Sequence, residues 1–110
     1  MDPYYESEDL AKFEEVGRNA PEQWKHFMAW YGPLMQEGHL SKREEALIAL
    51  AVSHGEKCPY CIDSYTRTCL ELGLSPDEMT EAVHVAAALR AGITLAQGIV
   101  MNNVVDKLSF

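Results

Sequence analysis

The sequence predicts an all-α fold, and three observations support this prediction. Apolar residues recur at spacings of three and four along nearly the whole chain, as on the buried face of a helix. Glycine, proline and two capping signatures divide the chain into segments of helix length. No segment of the sequence shows the alternating pattern of a strand. We therefore expect a compact bundle of about six helices with short connections and mostly antiparallel neighbours.

The first two helices are bounded by glycine and proline. Ser7 can cap the first helix, and Gly17 stops it. Pro21 opens the second helix, Gly32-Pro33 should kink or break it, and Gly38 ends it. The apolar residues expected on the first helix are Leu10, Phe13 and Val16.

Four further helices have clear start and stop signals. Capping boxes open two of them, at residues 41–44 and 75–78, and the second box has proline at its favoured first position. Glycines follow three of the four helices as stop signals. The bounds that these signals indicate are Ser41 to His54, Pro59 to Gly73, Ser75 to Gly92 and Thr94 to Lys107.

Length and charge limit the kinds of protein that this chain can be. A chain of 110 residues forms one domain with one core, which we assign to residues 20–110, preceded by an N-terminal helical extension at residues 1–19. The net charge of −8 argues against binding to nucleic acid or to an anionic membrane.

The cysteine count and the N-terminus indicate the cytoplasm. Three cysteines are an odd number, which argues against a disulfide framework. Residues Met1 to Glu6 are acidic and lack the basic start and apolar run of a signal peptide. We find no stretch approaching the ~20 apolar residues that cross a bilayer. A cytoplasmic protein is therefore predicted.

Two helices are unusually apolar for so small a protein. Residues 46–52 are apolar on every side, and residues 83–89 nearly so, with His84 as the one interruption. A helix that is apolar all round must be covered all round, and a monomer of this length cannot easily cover two. We therefore expect a homo-oligomer. The alternative is that one of these helices is buried at the centre of the monomer.

The tetrapeptide Cys58-Pro59-Tyr60-Cys61 is the most informative feature of the chain. Its two thiols are three residues apart at a helix start, so both lie on one face and can form a disulfide with little backbone change. The helix N-terminus favours thiolate over thiol, and Pro59 suits the first turn. This pattern is typical of a redox dithiol. The dipole alone would make Cys58 the more acidic thiol.

The third cysteine has a different role. Cys69 lies eleven residues beyond Cys58, which is about three helical turns and ~16 Å. We interpret Cys69 as a small, buried, apolar side chain.

The sequence around the dithiol resembles a known superfamily. The stretch from Lys42 to Leu72 has ALIALAV before CPYC and a glycine-ended helix after it, and EAVHVAAA follows at residues 81–88. This order resembles the carboxymuconolactone decarboxylase and alkylhydroperoxidase superfamily from about residue 20 onward. Together with the closing NNVVDKL, it is similar in particular to the peroxidase-like proteins associated with arsenosugar biosynthesis.

The resemblance implies a fold, an activity and partners. The implied fold is an all-α bundle assembled into trimers or hexamers. The redox branch of the superfamily reduces organic hydroperoxides through the CxxC pair, which a dithiol protein or a small thiol then restores. This chemistry requires no cofactor and no metal.

The resemblance also assigns residue roles. It makes Cys61 the cysteine that forms a sulfenic acid and Cys58 the resolving cysteine, which reverses the order that the dipole suggests. The proton relay of the superfamily is absent, because Tyr65 stands at the position of its histidine and Ala46 at that of its glutamate. Glu45 is one residue away, and we ascribe it to first-turn charge. A phenol, with a pKa of about 10, can donate a hydrogen bond but is a poor base near neutral pH.

Two histidines could replace the missing relay. His54 ends the helix before Cys58, and Glu56 lies between them. His84 lies on the alanine-rich helix that we expect to pack against the dithiol. Either imidazole could act as a base. The alternatives are that His54 caps its helix and that His84 is a core histidine bonded to a backbone carbonyl.

Other functions remain open. One is a lactone decarboxylase of the same fold, although that chemistry needs no dithiol. Another is a metal-binding module that uses Cys58, Cys61 and His54, for which only Glu56 or a partner subunit could supply a fourth ligand. The last, which rests on the resemblance alone, is a thiol partner in organoarsenic metabolism that binds trivalent arsenic.

Overall fold

The computed structural model describes residues 6–109, and every element in this range is helical. The prediction of an all-α fold is therefore confirmed. Residues 1–5, on which most of the expectation about a signal peptide rests, and residue 110 lie outside the described range. The elements are an N-terminal 3-10 helix over Ser7–Asn19, α1 over Pro21–Leu34, α2 over Lys42–Gly55, α3 over Pro59–Glu71, α4 over Pro76–Ala96 and α5 over Gly98–Leu108.

The expected helix starts of α2, α3 and α4 are confirmed. Ser41 and Ser75 both form complete capping boxes, in which each serine hydroxyl accepts from the glutamate amide and the glutamate carboxylate accepts from the serine amide. The hydrogen bond from the Ser41 amide holds the pKa of Glu44 below its usual range, and the Ser75 amide does the same for Glu78. Both carboxylates also compensate the positive end of the helix dipole.

Three helix bounds differ from the prediction. The first helix is 3-10 and continues to Asn19, and its spacing of three between apolar residues fits three residues per turn. Helix α1 ends at Leu34 rather than Gly38, with Pro33 in its last turn. Helix α4 passes through Gly92, because one glycine costs a helix only about 1 kcal/mol. Thr94 donates to the Arg90 carbonyl inside this helix instead of starting a new one.

The core lies where α2 meets α3 and the start of α4. Helix α2 packs against both of these helices. The buried side chains are Ala46, Leu50, Cys69 and Leu74, with Leu47, Tyr65, Leu72 and Met79 packed around them. The Ser53 hydroxyl is also buried and donates to the Ala49 carbonyl. This three-helix unit positions the cysteines.

The C-terminal helices extend away from the core. Helices α4 and α5 follow one another through Gln97, whose backbone stays in the α region. Together they span Pro76–Leu108, 33 residues, or about 50 Å at a helical rise of about 1.5 Å per residue. The radius of gyration is 18.9 Å, against about 13 Å for a compact domain of this length.

This long segment leaves a large apolar surface uncovered. By length and composition alone it could cross a membrane, contrary to our expectation that no such stretch exists. Neither all-round apolar helix is enclosed by the described residues, so the alternative of one helix buried inside the monomer is wrong. The apolar side chains of α2, α4 and α5 that are more than half exposed include Ile48, Val52, Val85, Leu89, Ile93, Leu95, Ile99 and Leu108.

The turn between α2 and α3 depends on Lys57 and not on Gly55. Gly55 is the last residue of α2, and Lys57 has the left-handed backbone with φ 56°. The Lys57 amide donates to the His54 carbonyl at 3.1 Å, and the Cys58 amide donates to the Ser53 carbonyl at 2.9 Å. These two bonds define a Schellman motif, whose left-handed position is usually glycine.

We expect Lys57→Gly to raise the free energy of unfolding by about 1 kcal/mol, since a left-handed backbone is costly for a residue with a Cβ. Urea unfolding measures this change. Gly73, with φ 80°, occupies the same position after α3, and a Cβ there would meet Nη1 of Arg43 only at an ordinary contact distance of 3.8 Å. Gly73→Ala should therefore lower the free energy of unfolding by a similar amount. Changes of the same sign in the two variants would contradict this account.

Candidate active site

The two cysteines of the tetrapeptide lie at the N-terminus of α3 and form a disulfide. Cys58 is the N-cap residue, Pro59 occupies the first helical position and Cys61 the third. The two Cα atoms are 5.3 Å apart, and the Cys61 amide donates to the Cys58 sulfur at 3.2 Å. Cys58 therefore caps the helix with its sulfur, as serine or aspartate does with oxygen.

Backbone hydrogen bonds hold Cys58 in both flanking helices. Its amide closes the Schellman motif of α2 on the Ser53 carbonyl, and its own carbonyl accepts from the Ile62 amide at 2.9 Å in α3. Ser53 is 5% exposed, so this end of the turn is buried. The dithiol therefore has a rigid backbone at its first cysteine.

Cys69 is separate from the dithiol. It is free, fully buried and packed with Ala46, Leu50 and Leu74. Burial raises the pKa of its thiol, which keeps it protonated and unreactive. The prediction of a small apolar core residue is confirmed.

The two positions of the superfamily relay face the same cavity. Tyr65 and Ala46 both line a cleft of about 340 Å³ between α1, α2 and α3. Neither cysteine lines this cleft, but Tyr65 lies one turn after Cys61 on α3, so along the helix its lining begins nearer to the second cysteine than to the first. Burial raises the pKa of Tyr31, which also lines the cleft. The remaining lining residues are Met35, Lys42, Ser64, Thr68, Glu71 and Leu72.

Glu45 is more than a first-turn charge. Its Oε1 atom is buried, and it has no hydrogen-bond partner among residues 6–109. A buried carboxylate oxygen ordinarily has a donor, because burial without one is costly. The adjacent position, Ala46, carries the relay glutamate in the superfamily, and this proximity was the signal in the sequence. The structure therefore adds Glu45 to the candidate residues.

His54 faces away from the cleft that Tyr65 lines. Its Nδ1 is 2.9 Å from the Leu50 carbonyl, which can only accept, so Nδ1 carries a proton and donates this bond. His54 lines a smaller cavity of about 190 Å³, with residues of α2, α3 and α4 and without either cysteine. The Leu50 carbonyl lies five residues before the end of α2, so this bond is made within the helix and does not cap its last carbonyls.

The single chain does not bring His84 to the dithiol. His84 is exposed on α4, and α4 packs against α2 rather than against the first turn of α3. The expected contact between this helix and the dithiol is therefore wrong, and so is the alternative of a buried core histidine. Helix α4 packs against α2 through a face that does not include His84, which stays exposed.

The metal-binding alternative receives no support from side-chain positions. Among residues 6–109, no three side chains of the histidine, cysteine, aspartate and glutamate types come together as a metal site would require.

The N-terminal 3-10 helix also contacts the dithiol turn, a contact that no pattern in the sequence predicts. Tyr60, which lies between the two cysteines, donates from its hydroxyl to the Leu10 carbonyl at 2.7 Å. Its ring packs against Phe13 with centroids 5.3 Å apart.

Comparison with known proteins identifies the family. The model of the carboxymuconolactone decarboxylase family matches residues 21–99. The chain therefore belongs to this family. It is 37% identical over 70 residues to a Paracoccus denitrificans protein described as "Uncharacterized protein 4 in cox locus". That match covers 64% of this chain and 63% of the relative, so the chain spans less than two thirds of the relative's length.

A solved structure supports the same fold. The crystal structure of a Methanobacterium thermoautotrophicum protein superposes with a TM-score of 0.73 and 31% identity. It covers 76% of this chain, which covers 94% of that protein. These relatives support the family and leave the narrower resemblance to arsenosugar-associated proteins unconfirmed.

Cys58 and Cys61 should form the only disulfide that mild oxidation produces, while Cys69 stays reduced. After reduction, iodoacetamide should modify Cys58 and Cys61 in the folded protein. Cys69 should react on the order of 100-fold more slowly, since it must first be exposed by unfolding. Peptide mapping measures both results. A dominant disulfide through Cys69 would remove the basis for a redox dithiol.

Proposed function

We propose that this protein reduces organic hydroperoxides through a dithiol–disulfide cycle of Cys58 and Cys61. The observation that carries the proposal is the disulfide at the N-cap of α3, where the Cys58 sulfur also accepts a hydrogen bond from the Cys61 amide. Membership of the carboxymuconolactone decarboxylase family, which includes such enzymes, adds support. The decarboxylase alternative leaves this pair of sulfurs without a role.

The oxidative half of the cycle uses both cysteines. The Cys61 thiolate attacks one peroxide oxygen, the O–O bond breaks, and the leaving alkoxide takes a proton to become an alcohol. Cys61 is then a sulfenic acid. The Cys58 thiolate attacks the Cys61 sulfur, the S–S bond forms, and hydroxide leaves and is protonated to water. Each turnover therefore passes two electrons from the dithiol to the peroxide.

The reductive half requires an external thiol pair. One thiolate of the reductant attacks the Cys61 sulfur and displaces Cys58, and the second reductant thiolate then releases Cys61. The amide of Cys61 and the N-terminus of α3 stabilise the displaced Cys58 thiolate. A stabilised thiolate is a better leaving group, which favours attack at Cys61.

The division of labour rests on the position of the cleft. Tyr65 follows Cys61 by one turn and lines the 340 Å³ cleft, which we propose admits the peroxide. The Tyr65 hydroxyl can donate a hydrogen bond to a thiolate or to the peroxide. Because it is a poor base, the protein should turn over peroxides slowly. Glu45, which is next to Ala46 in the sequence and has a buried oxygen, is our candidate for a replacement carboxylate. His54 and His84 remain weaker candidates for the base.

Trapping of the sulfenic acid distinguishes the two cysteines. In Cys58→Ser, hydroperoxide should leave a stable sulfenic acid on Cys61 that dimedone captures, because no resolving thiol is present. In Cys61→Ser, peroxide should yield little adduct at Cys58. Mass spectrometry of the labelled peptide measures both. A dimedone adduct at Cys58 in Cys61→Ser, together with no adduct at Cys61 in Cys58→Ser, would reverse the assignment. Cys69→Ser is the control, since both cysteines of the cycle are retained.

Restoring the superfamily relay should act cooperatively. Tyr65→His alone should raise peroxide turnover modestly, and Tyr65→His with Ala46→Glu should exceed the sum of the two single changes. Residues in one hydrogen-bonded relay couple by ~0.5–3 kcal/mol, or about two-fold to over a hundred-fold in rate. Ala46 is only 2% exposed, so Ala46→Glu could destabilise the fold by burying an unpaired carboxylate. Thermal unfolding should therefore be measured for each variant beside its steady-state kinetics.

A matched control places the carboxylate outside the cleft. Ile48 lies on α2 and is 52% exposed, so Tyr65→His with Ile48→Glu should show no cooperativity. A large gain from Tyr65→His alone would indicate that Glu45 already orients the imidazole, and Glu45→Gln should then abolish that gain. If Tyr65→His slows an already rapid enzyme, Tyr65 is itself the working group. Loss of activity in His54→Ala but not in Tyr65→Phe would place the proton path at His54.

We also propose that other copies of the chain cover the apolar face of α4 and α5, as a trimer or hexamer in the cytoplasm. Light scattering on dilute protein should report a trimer or larger. Leu89→Glu, on a side chain that is 63% exposed, should dissociate it, because a charge would be buried in the interface. A folded monomer at micromolar concentration would contradict this proposal. Co-flotation of the protein with lipid vesicles would show that a membrane covers the face instead.

A further inference from the structure

The N-terminal 3-10 helix packs against the first turns of α3, where Tyr60 lies between the two cysteines. Three of its residues contact the first turns of α3, and they follow one another at a spacing of three. Such residues align along one edge of a 3-10 helix. The contacts are Ser7 Oγ to Asp63 Oδ2 at 3.1 Å, the Leu10 carbonyl to the Tyr60 hydroxyl at 2.7 Å, and the Phe13 ring to the Tyr60 ring.

The other end of this segment is attached to α1. Phe13 also packs edge-to-face on Trp24, with ring centroids 5.1 Å apart. Gly17 is buried, and a Cβ at this position would collide with the Trp24 side chain, so only glycine permits this approach. The segment is therefore held against α1 and α3 at once. It precedes the match to the family model, which begins at residue 21.

Tyr60 connects this segment directly to the dithiol. It lies between Cys58 and Cys61, and its hydroxyl donates to a carbonyl of the segment. Desolvation raises the pKa of Tyr60, and the negative charge of Asp9 raises it further, so the phenol remains a donor. Both cysteines are half-buried. A protein reductant needs a surface around the disulfide on which to dock, and here the chain itself covers part of that surface.

We propose that the N-terminal 3-10 helix determines which reductant reaches the disulfide, admitting a small-molecule thiol and retarding a protein dithiol. This inference rests on the proposed dithiol cycle and names the class of its reductant. The exchange itself is balanced by two reductant thiols, which become a disulfide as Cys58 and Cys61 become thiols. A protein dithiol can complete the same exchange only after the segment moves away from α3.

The test compares the rates at which dithiothreitol and reduced thioredoxin reduce the disulfide, without any peroxide. Phe13→Ala removes the ring that packs on both Tyr60 and Trp24, and lies outside the buried core around Leu50. It should raise the ratio of the thioredoxin rate to the dithiothreitol rate by about two- to ten-fold, the range for loss of one aromatic contact. Val16→Ala is the matched control, since Val16 lies on the same helix and is 67% exposed. Its ratio should equal that of the wild type.

A second variant keeps the experiment decisive if Phe13→Ala perturbs the fold. Tyr60→Phe retains the ring and removes the hydroxyl that donates to Leu10, so the ratio should rise in the same direction and by a smaller factor. An unchanged ratio in both variants would overturn the proposal. An equal rise in both rates would also overturn it, because it would indicate a less stable disulfide rather than better access.

Failure of this proposal is distinguishable from failure of the proposed function. The reductant ratio is measured without peroxide, so a changed ratio in a protein that does not turn over hydroperoxides would refute only the peroxidase function. An unchanged ratio in an active peroxidase would refute only the role of the 3-10 helix.

Discussion

The backbone of Cys58 is the constraint on which the rest of the structure depends. Its amide donates to the Ser53 carbonyl at the C-terminus of α2. Its carbonyl accepts from the Ile62 amide in the first turn of α3. One residue therefore caps both helices, and only residues 56–58 connect them. The turn brings α2 and α3 side by side, which encloses Leu50 and Cys69 in one core. Lys57 accepts a left-handed backbone so that this turn can close.

The same turn explains why the two sulfurs are chemically distinct. Cys58 lies at the helix N-cap, where an amide donates to its sulfur, while Cys61 lies one turn closer to the cleft that Tyr65 lines. In the proposed cycle, thiolate stability and access to the peroxide are thus divided between neighbouring cysteines. Superfamily resemblance and helix-dipole reasoning rank the cysteines differently because they describe different properties, proximity to the relay positions in one case and thiolate stability in the other.

The N-terminal and C-terminal helices of the single chain differ in how much of their apolar surface is covered. The N-terminal 3-10 helix is docked against α1 and α3 through aromatic packing and hydrogen bonds. The C-terminal helices, in contrast, present Leu89, Ile93 and their apolar neighbours to the surroundings. An exposed apolar surface of this extent ordinarily marks an interface. The N-terminal 3-10 helix therefore contacts the dithiol turn within the chain, while the apolar face of the C-terminal helices is left uncovered by the described residues.

The sequence by itself determined the helical fold, the two capping boxes, the position of the dithiol at a helix start and the burial of Cys69. These features follow from local signals: side-chain periodicity, serine and glutamate three residues apart, and the distance between thiols along one helix. Only the tertiary structure decided that Ala46 and Tyr65 share a cleft, that Glu45 has a buried oxygen, that His84 is exposed and that Tyr60 holds the N-terminal segment. Each of these features depends on which faces of two helices meet. Contacts between residues far apart in the sequence determine those faces, and local patterns do not specify such contacts.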